Sequence, residues 1–216
     1  MTIDSYFKEL NEAIDFTDSM GLKLPKKVNF DYDKRYFTKE GNYKLIKVYN
    51  DIFQSKLINV SDMYEFALGM IANCSPLHYF LKKYLDKELG CKSYFTIGYI
   101  LFDDERGNCY HKITQEIVKD CLNNSKFPKD HHVWLTLDSG EILDLTFPLT
   151  YSSIHDKNFN KSLKQGEIGI SFINRHVNDF QHSMTYKPIL IGEDFFSKIG
   201  FDLEDISYAM YNKYIV

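Results

Sequence analysis

The stretch His131-His132-Val133-Trp134-Leu135-Thr136-Leu137-Asp138-Ser139-Gly140-Glu141-Ile142-Leu143-Asp144-Leu145-Thr146 decides how the chain is read. Two alternating runs flank Asp138-Ser139-Gly140, and a three-residue loop with glycine third suits a type I turn closed by a left-handed residue. That register pairs Leu137 with Glu141, Trp134 with Asp144 and His132 with Thr146. Val133, Leu135, Leu137, Leu143 and Leu145 then share one face, an apolar set suited to packing, and His131 points to that side as the weaker catalytic candidate. His132 and Asp144 become diagonal neighbours on the other face, within reach of each other's side chains. A two-residue loop would instead set them on opposite faces.

Upstream lies the best-marked helix of the chain. Ser75 followed by Pro76 reads as an N-cap and first helical residue. Leu77, Phe80, Leu81, Tyr84 and Leu85 form its buried stripe, and Gly90 supplies a left-handed stop. Ser93 to Phe102, aromatic and β-branched, follows as a strand. Earlier, Ile3 to Met20 predicts a helix with Ile3, Phe7, Leu10 and Ile14 on one face. A second helix places Ile46, Tyr49, Ile52 and Phe53 together. A third begins at Asp62, with Glu65 at capping-box spacing, and buries Tyr64, Ala67, Leu68 and Ile71.

A turn over Asp103 to Asn108 and a weaker helix over Ile113 to Leu122 precede the hairpin, whose second strand runs from Glu141 to Phe147. The last third predicts strands near Ile168 to Ile173 and Pro188 to Ile191, then helices near Glu193 to Ile199 and Leu203 to Tyr211. Helices first and strands later give an α+β fold with helices packed on an antiparallel sheet. At about 150 residues per domain, 216 residues make one domain. Its parts are a helical region (1–72), a catalytic core (73–147) and a strand and helix extension (148–216).

Composition removes several function classes. A hydrophobic content of 44% with 26% charged residues describes a globular chain long enough to fold without disulfide or metal staples. The net charge of −4 argues against nucleic acid and anionic membrane as partners, since both select basic surfaces. The aromatic content of 16% excludes disorder. Cys74, Cys91, Cys109 and Cys121 form no CxxC pair, which fits a reducing compartment. Met1 to Lys8 carries no signal-peptide pattern and no apolar run spans a bilayer, so a cytoplasmic location is expected, with signal-less export as the other route.

Cys74 sits at a helix start, where unpaired N–H groups and the dipole favour a thiolate. Cys91 lies at the opposite, negative end of that helix, Cys121 on another helix face, and Cys109 in a turn. A thiol nucleophile needs a base, and the base needs an acceptor that fixes its tautomer. Cys74, His132 and Asp144 supply nucleophile, base and orienter in that order.

These residues resemble the transglutaminase-like superfamily of papain-like cysteine enzymes. Its core has a cysteine opening a helix, a strand ending in Gly-Tyr, a His-x-Trp strand and an Asp-x-Thr strand. The matching stretches here are Cys74 through Gly90, Ser93 through Gly98-Tyr99, His132-Val133-Trp134 and Asp144-Leu145-Thr146. They cover Asn73 to Phe147, about a third of the chain. Asn73 stands where the family often has glycine, and the segment from Asp103 to Asp130 is long.

The resemblance implies a papain-like core and a cysteine-dependent hydrolase or acyl transferase. Its thiolate would attack an amide of a peptide or a glutamine side chain, forming an acyl-enzyme without a cofactor. Alternatives on the same fold are an arylamine-type N-acetyltransferase and a non-enzymatic binding module. The Cys74 backbone N–H is the first oxyanion donor, and Gln54 and Asn73 are side-chain candidates for a second.

Other constellations are weaker. Cys74 and His78, four apart, with His131 or His132, form a sparse zinc set. Cys109-Tyr110-His111 reads as incidental, and His155, His176 and His182 as surface or local hydrogen-bonding groups. Gly166, Gly169 and Gly192 make no phosphate loop.

Overall fold

A strand buried on both faces stands at the centre of the molecule, as the continuous apolar run of Ser93–Phe102 requires. The computed structural model describes residues 2–25, 29–31, 33–53, 60–102, 107–167, 171–180 and 184–214. In chain order its elements are α1 (Ile3–Ser19), α2 (Lys39–Phe53), α3 (Val60–Met70), α4 (Cys74–Leu89), β1 (Ser93–Phe102), β2 (Cys109–Tyr110), α5 (Gln115–Asn124), β3 (His132–Leu137) and β4 (Glu141–Asp144). Then come α6 (Phe147–His155), α7 (Phe159–Lys164), β5 (Ile173–His176), β6 (Met184–Ile191), α8 (Asp194–Lys198) and α9 (Leu203–Tyr214). The fold is α+β, with helices packed on an antiparallel sheet.

The sheet runs β6–β1–β3–β4–β5, and the short β2 continues along the β3 edge of β1. Every pairing is antiparallel. Leu135 pairs with Leu143 and Thr136 with Ile142, the register expected from a three-residue loop. Gly140 closes that loop at φ +82°, with its N–H bonded to the Leu137 carbonyl at 2.9 Å.

Strand alternation sends the two faces into two cores. Phe95, Ile97, Val133, Leu135, Leu137, Leu143 and Leu145 pack with Leu77, Leu81 and Leu85 of α4 and with residues of α2 and α3. Tyr94, Ile100, Trp134, Ile142 and Tyr186 pack on the other side with Tyr6, Phe7 and Leu10 of α1. The sheet therefore carries α4 on one face and α1 on the other, and the hairpin is buried on both. Even the loop is covered: Ser139 is fully buried and donates from Oγ to Glu141 Oε2 at 2.6 Å. Glu141 also accepts from the Tyr36 and Phe37 N–H groups at 2.7 and 2.8 Å, which ties the chain before α2 to the hairpin.

The structure departs from the sequence reading at several helices. In α2 the inward face is Leu45, Val48 and Tyr49, while Ile46 is exposed; the side chains of Ile52 and Phe53 lie outside the described ones. Val60 is already helical, so α3 begins before Asp62, and its core residues are Phe66, Ala67 and Met70. In α4, Leu77, Leu81 and Leu85 are buried as expected, but Tyr84 is exposed. Gly90 closes the helix at φ +64°.

The strand expected to reach Phe147 stops at Asp144, because Phe147-Pro148 opens α6. Helices α6 and α7 escaped the sequence reading. Part of the Asp103 to Asn108 turn and of the 168–173 strand lies outside the described residues. Among the described residues, no helix is long and apolar enough to cross a membrane.

Candidate active site

The helix carrying the cysteine starts one turn position earlier than Ser75-Pro76 suggests. Asn73 is the N-cap and Cys74 the first helical residue. The first N–H groups of a helix have no intrahelical partner and lie at the positive end of its dipole. Cys74 is thus placed more favourably for a thiolate than a residue outside the first turn. Ala72, just upstream, is held at φ +58°, a left-handed conformation that costs a non-glycine residue about 1–2 kcal/mol. Its N–H donates to Thr150 Oγ1 of α6 at 3.1 Å, which fixes the approach to the helix.

His132 and Asp144 meet on the face where the hairpin register puts them. His132 Nε2 bonds Asp144 Oδ2 at 2.6 Å, with both side chains buried. This engages Nε2 and leaves Nδ1 as the ring nitrogen for another partner. Asp144 is saturated with donors. The Tyr186 hydroxyl donates to Oδ2 at 2.8 Å, and the N–H groups of Thr146 and Phe147 donate to Oδ1 at 3.0 Å each. The same carboxylate therefore orients the imidazole and caps the start of α6.

The electrostatics follow from this geometry. Burial opposes charge on His132, but the Asp144 carboxylate and then the Cys74 sulfur outweigh it and push its pKa up. Burial likewise opposes charge on Asp144, and His132 overrides it, holding the carboxyl well down. Cys74 is only 8% exposed, and burial disfavours its thiolate. Its interactions with His131 and His132 reverse that effect and bring the thiol well below its ordinary range. Cys91, buried near Asp86, and Cys121, buried near Asp120, are pushed the other way. These shifts favour a thiolate at Cys74 and a proton on His132, with the Asp144 carboxylate behind the ring.

His78 does not serve as a metal ligand in this arrangement. Fully buried on α4, it donates from Nδ1 to the Cys74 carbonyl at 2.7 Å and accepts from the Leu145 N–H at Nε2, 3.0 Å away. Both ring nitrogens are used, and burial lowers its pKa, so it stays neutral. It ties the first turn of the cysteine helix to the strand bearing Asp144. Among the described residues no cluster of three or more His, Cys, Asp or Glu side chains is arranged to hold a metal ion.

Asn73 is not free to be an oxyanion donor, because its Nδ2 donates to the Gly69 and Ile71 carbonyls at 2.9 and 3.2 Å. Gln54 lies outside the described residues. The Cys109-Tyr110-His111 segment is not incidental: Tyr110 enters β2 and sets its ring edge-on to His132, with 5.2 Å between centroids. His176 is buried rather than superficial and accepts the Asn178 N–H at Nδ1, 3.2 Å away. His155 is exposed, and His182 and Gly169 lie outside the described residues.

Tyr110, Tyr186 and His78 adjoin Cys74, His132 or Asp144, a place that the sequence reading gave to none of them. Only His78 had a visible signal, one helical turn after Cys74. No known family, curated protein or solved structure matches the chain.

Proposed function

We propose that the chain is a cysteine-dependent hydrolase or acyl transferase with a papain-like, transglutaminase-like core. In this reading Cys74 attacks an amide carbonyl of a peptide or glutamine side chain. The observation that carries it is the 2.6 Å bond from His132 to Asp144, beside a helix-opening cysteine whose pKa His131 and His132 lower. In this reading one helix start and one hairpin supply the roles that thiol catalysis requires.

The chemistry proceeds in two halves. The thiolate forms a C–S bond to the carbonyl carbon, and the developing oxyanion is stabilised by the Cys74 N–H at the helix start. The C–N bond breaks as the His132 imidazolium gives its proton to the leaving amine. Water or a second amine then attacks the thioester, gives its proton to neutral His132, and releases the thiolate. Asp144 holds the imidazole ring throughout, and Tyr186 holds Asp144.

Intact mass spectrometry after exposure to peptides, glutamine-containing proteins and acetyl-CoA tests the proposal. A Cys74 adduct from a peptide or glutamine donor is the expected result. An added acetyl group supports the arylamine-type acetyltransferase instead. No adduct from any donor, together with unaltered partner binding by Cys74→Ala, supports a binding module.

A further inference from the structure

Two histidines, adjacent in sequence, bear on the Cys74 sulfur. His131 lies just before β3 and His132 opens it. His132 is 1% exposed and backed by Asp144. His131 is only partly buried and has a different anchor: its Nε2 shares a 2.9 Å hydrogen bond with Ser75 Oγ. Ser75 Oγ in turn lies 3.9 Å from the Cys74 sulfur. The ring is held in place by Phe127 and Phe196, at centroid distances of 5.0 and 5.6 Å, and Phe127 is exposed. Phe201 packs on Phe127 at 4.4 Å and also lines a cleft of about 500 Å³ beside Tyr79. His131 is therefore the more exposed of the two imidazoles.

We propose that His131, hydrogen-bonded to Ser75 beside the nucleophile, is a second catalytic residue of the Cys74 site. The inference deepens the reading of Cys74 as a nucleophile and rests on it. Around the His131 ring the described contacts are Ser75 on α4, Phe127, Phe196 on α8 and the thiol. The other ionisable groups bearing on the same sulfur are His132, with Asp144 behind it, His78 on α4 and Tyr110 of β2. A merely structural role, docking α4 against β3, predicts a lower melting temperature in a variant with an unchanged thiol.

The test is the pH dependence of Cys74 alkylation by iodoacetamide, mapped by peptide mass spectrometry, alongside thermal melting. In His131→Asn the midpoint for alkylation moves upward by about one pH unit. In Ser75→Ala it moves the same way by a smaller amount. An unmoved midpoint in folded His131→Asn protein overturns the proposal. Should that variant fail to fold, Ser75→Ala decides alone, and an unmoved midpoint there overturns it equally. Alkylation needs no substrate, so a shifted midpoint with no acyl adduct from any donor would count against the proposed reaction and not against His131.

Discussion

Gly98 lies directly across from His132 in the ladder between β1 and β3. A Cβ on Gly98 would stand 2.0 Å from the Lys187 carbonyl oxygen and 2.7 Å from the Trp134 ring. Trp134 in turn donates from Nε1 to the Tyr6 hydroxyl at 3.0 Å, so it cannot swing away without losing that bond. The absent side chain lets β6 approach β1 closely and gives the indole next to His132 its place. The Gly-Tyr and His-x-Trp patterns, far apart in sequence, are thus two halves of one packing contact.

Gly98→Ala is accordingly expected to destabilise the protein by about 3 kcal/mol, near the upper end for overpacking, because the nearest obstacle is backbone. Urea unfolding measures it. A loss below about 0.5 kcal/mol would show that β6 yields easily and that the contact does not constrain the site.

Asp144→Asn keeps the shape of the site but removes the charge that makes His132 an imidazolium. The expected fall in turnover is on the order of 10³–10⁴-fold, the size associated with loss of an orienting carboxylate in a triad. Stability is also expected to drop, since the carboxylate accepts from Tyr186, Thr146 and Phe147 as well. Steady-state kinetics on the acyl donor identified by mass spectrometry, normalised to folded fraction, separates the two effects. Turnover within tenfold of the parent would remove Asp144 from the mechanism.

Replacing His78 by leucine strands the Leu145 N–H inside the protein and removes the side-chain donor from the Cys74 carbonyl, which keeps its helical bond. One orphaned buried N–H costs about 1–3 kcal/mol, and a loss of that size is expected in chemical denaturation. His78→Gln, with one donor and one acceptor of similar reach, is expected to recover part of it. If zinc addition stabilised the parent strongly and the His78→Leu variant not at all, the tether would be the wrong assignment.

How far the sequence was legible depends on how local the signal is. The hairpin could be read because alternation, a glycine at the left-handed loop position and the chain's one Trp all lie within sixteen residues, and the His132–Asp144 contact follows from that register alone. Helix α6 could not, because Phe147-Pro148 follows an apolar strand directly and its cap is the Asp144 side chain, a tertiary commitment of a residue already given another role. The face of α2 was misjudged for a similar reason. Leu45 and Ile46 are equally apolar, and only the position of α4 decides which turns inward. Tyr186 reaches Asp144 from a strand that joins the sheet on the far side of β1, so no spacing along the chain could announce it.

The pH behaviour of the site follows from the signs of the shifts. Cys74 has a pKa well below its ordinary value of 9.0, because His131 and His132 outweigh burial. His132 is raised from 6.5 to about 10, as Asp144 outweighs burial. Between those two values the thiolate and imidazolium coexist, so acyl transfer is expected to rise on the acid side, hold through neutral pH, and fall as pH passes through about 10. Stability follows the same linkage. The raised His132 contributes fully below 6.5 and loses its contribution as pH climbs through about 10. The depressed Asp144 contributes above 3.8 and loses its contribution as pH falls through about 2. Alkylation at pH 6 is therefore expected to label Cys74 ahead of Cys91 and Cys121, whose thiols burial and nearby aspartates push upward. All three thiols are buried, Cys74 at 8%, Cys91 at 6% and Cys121 at 2% exposed, so a large preference for Cys74 would have to come from thiolate content. Unfolding in urea removes the two imidazoles from the sulfur, and the preference for Cys74 is expected to vanish there. A preference for Cys91 or Cys121 in the folded protein, or one for Cys74 that survives unfolding, would mean that the histidines do not activate the thiol.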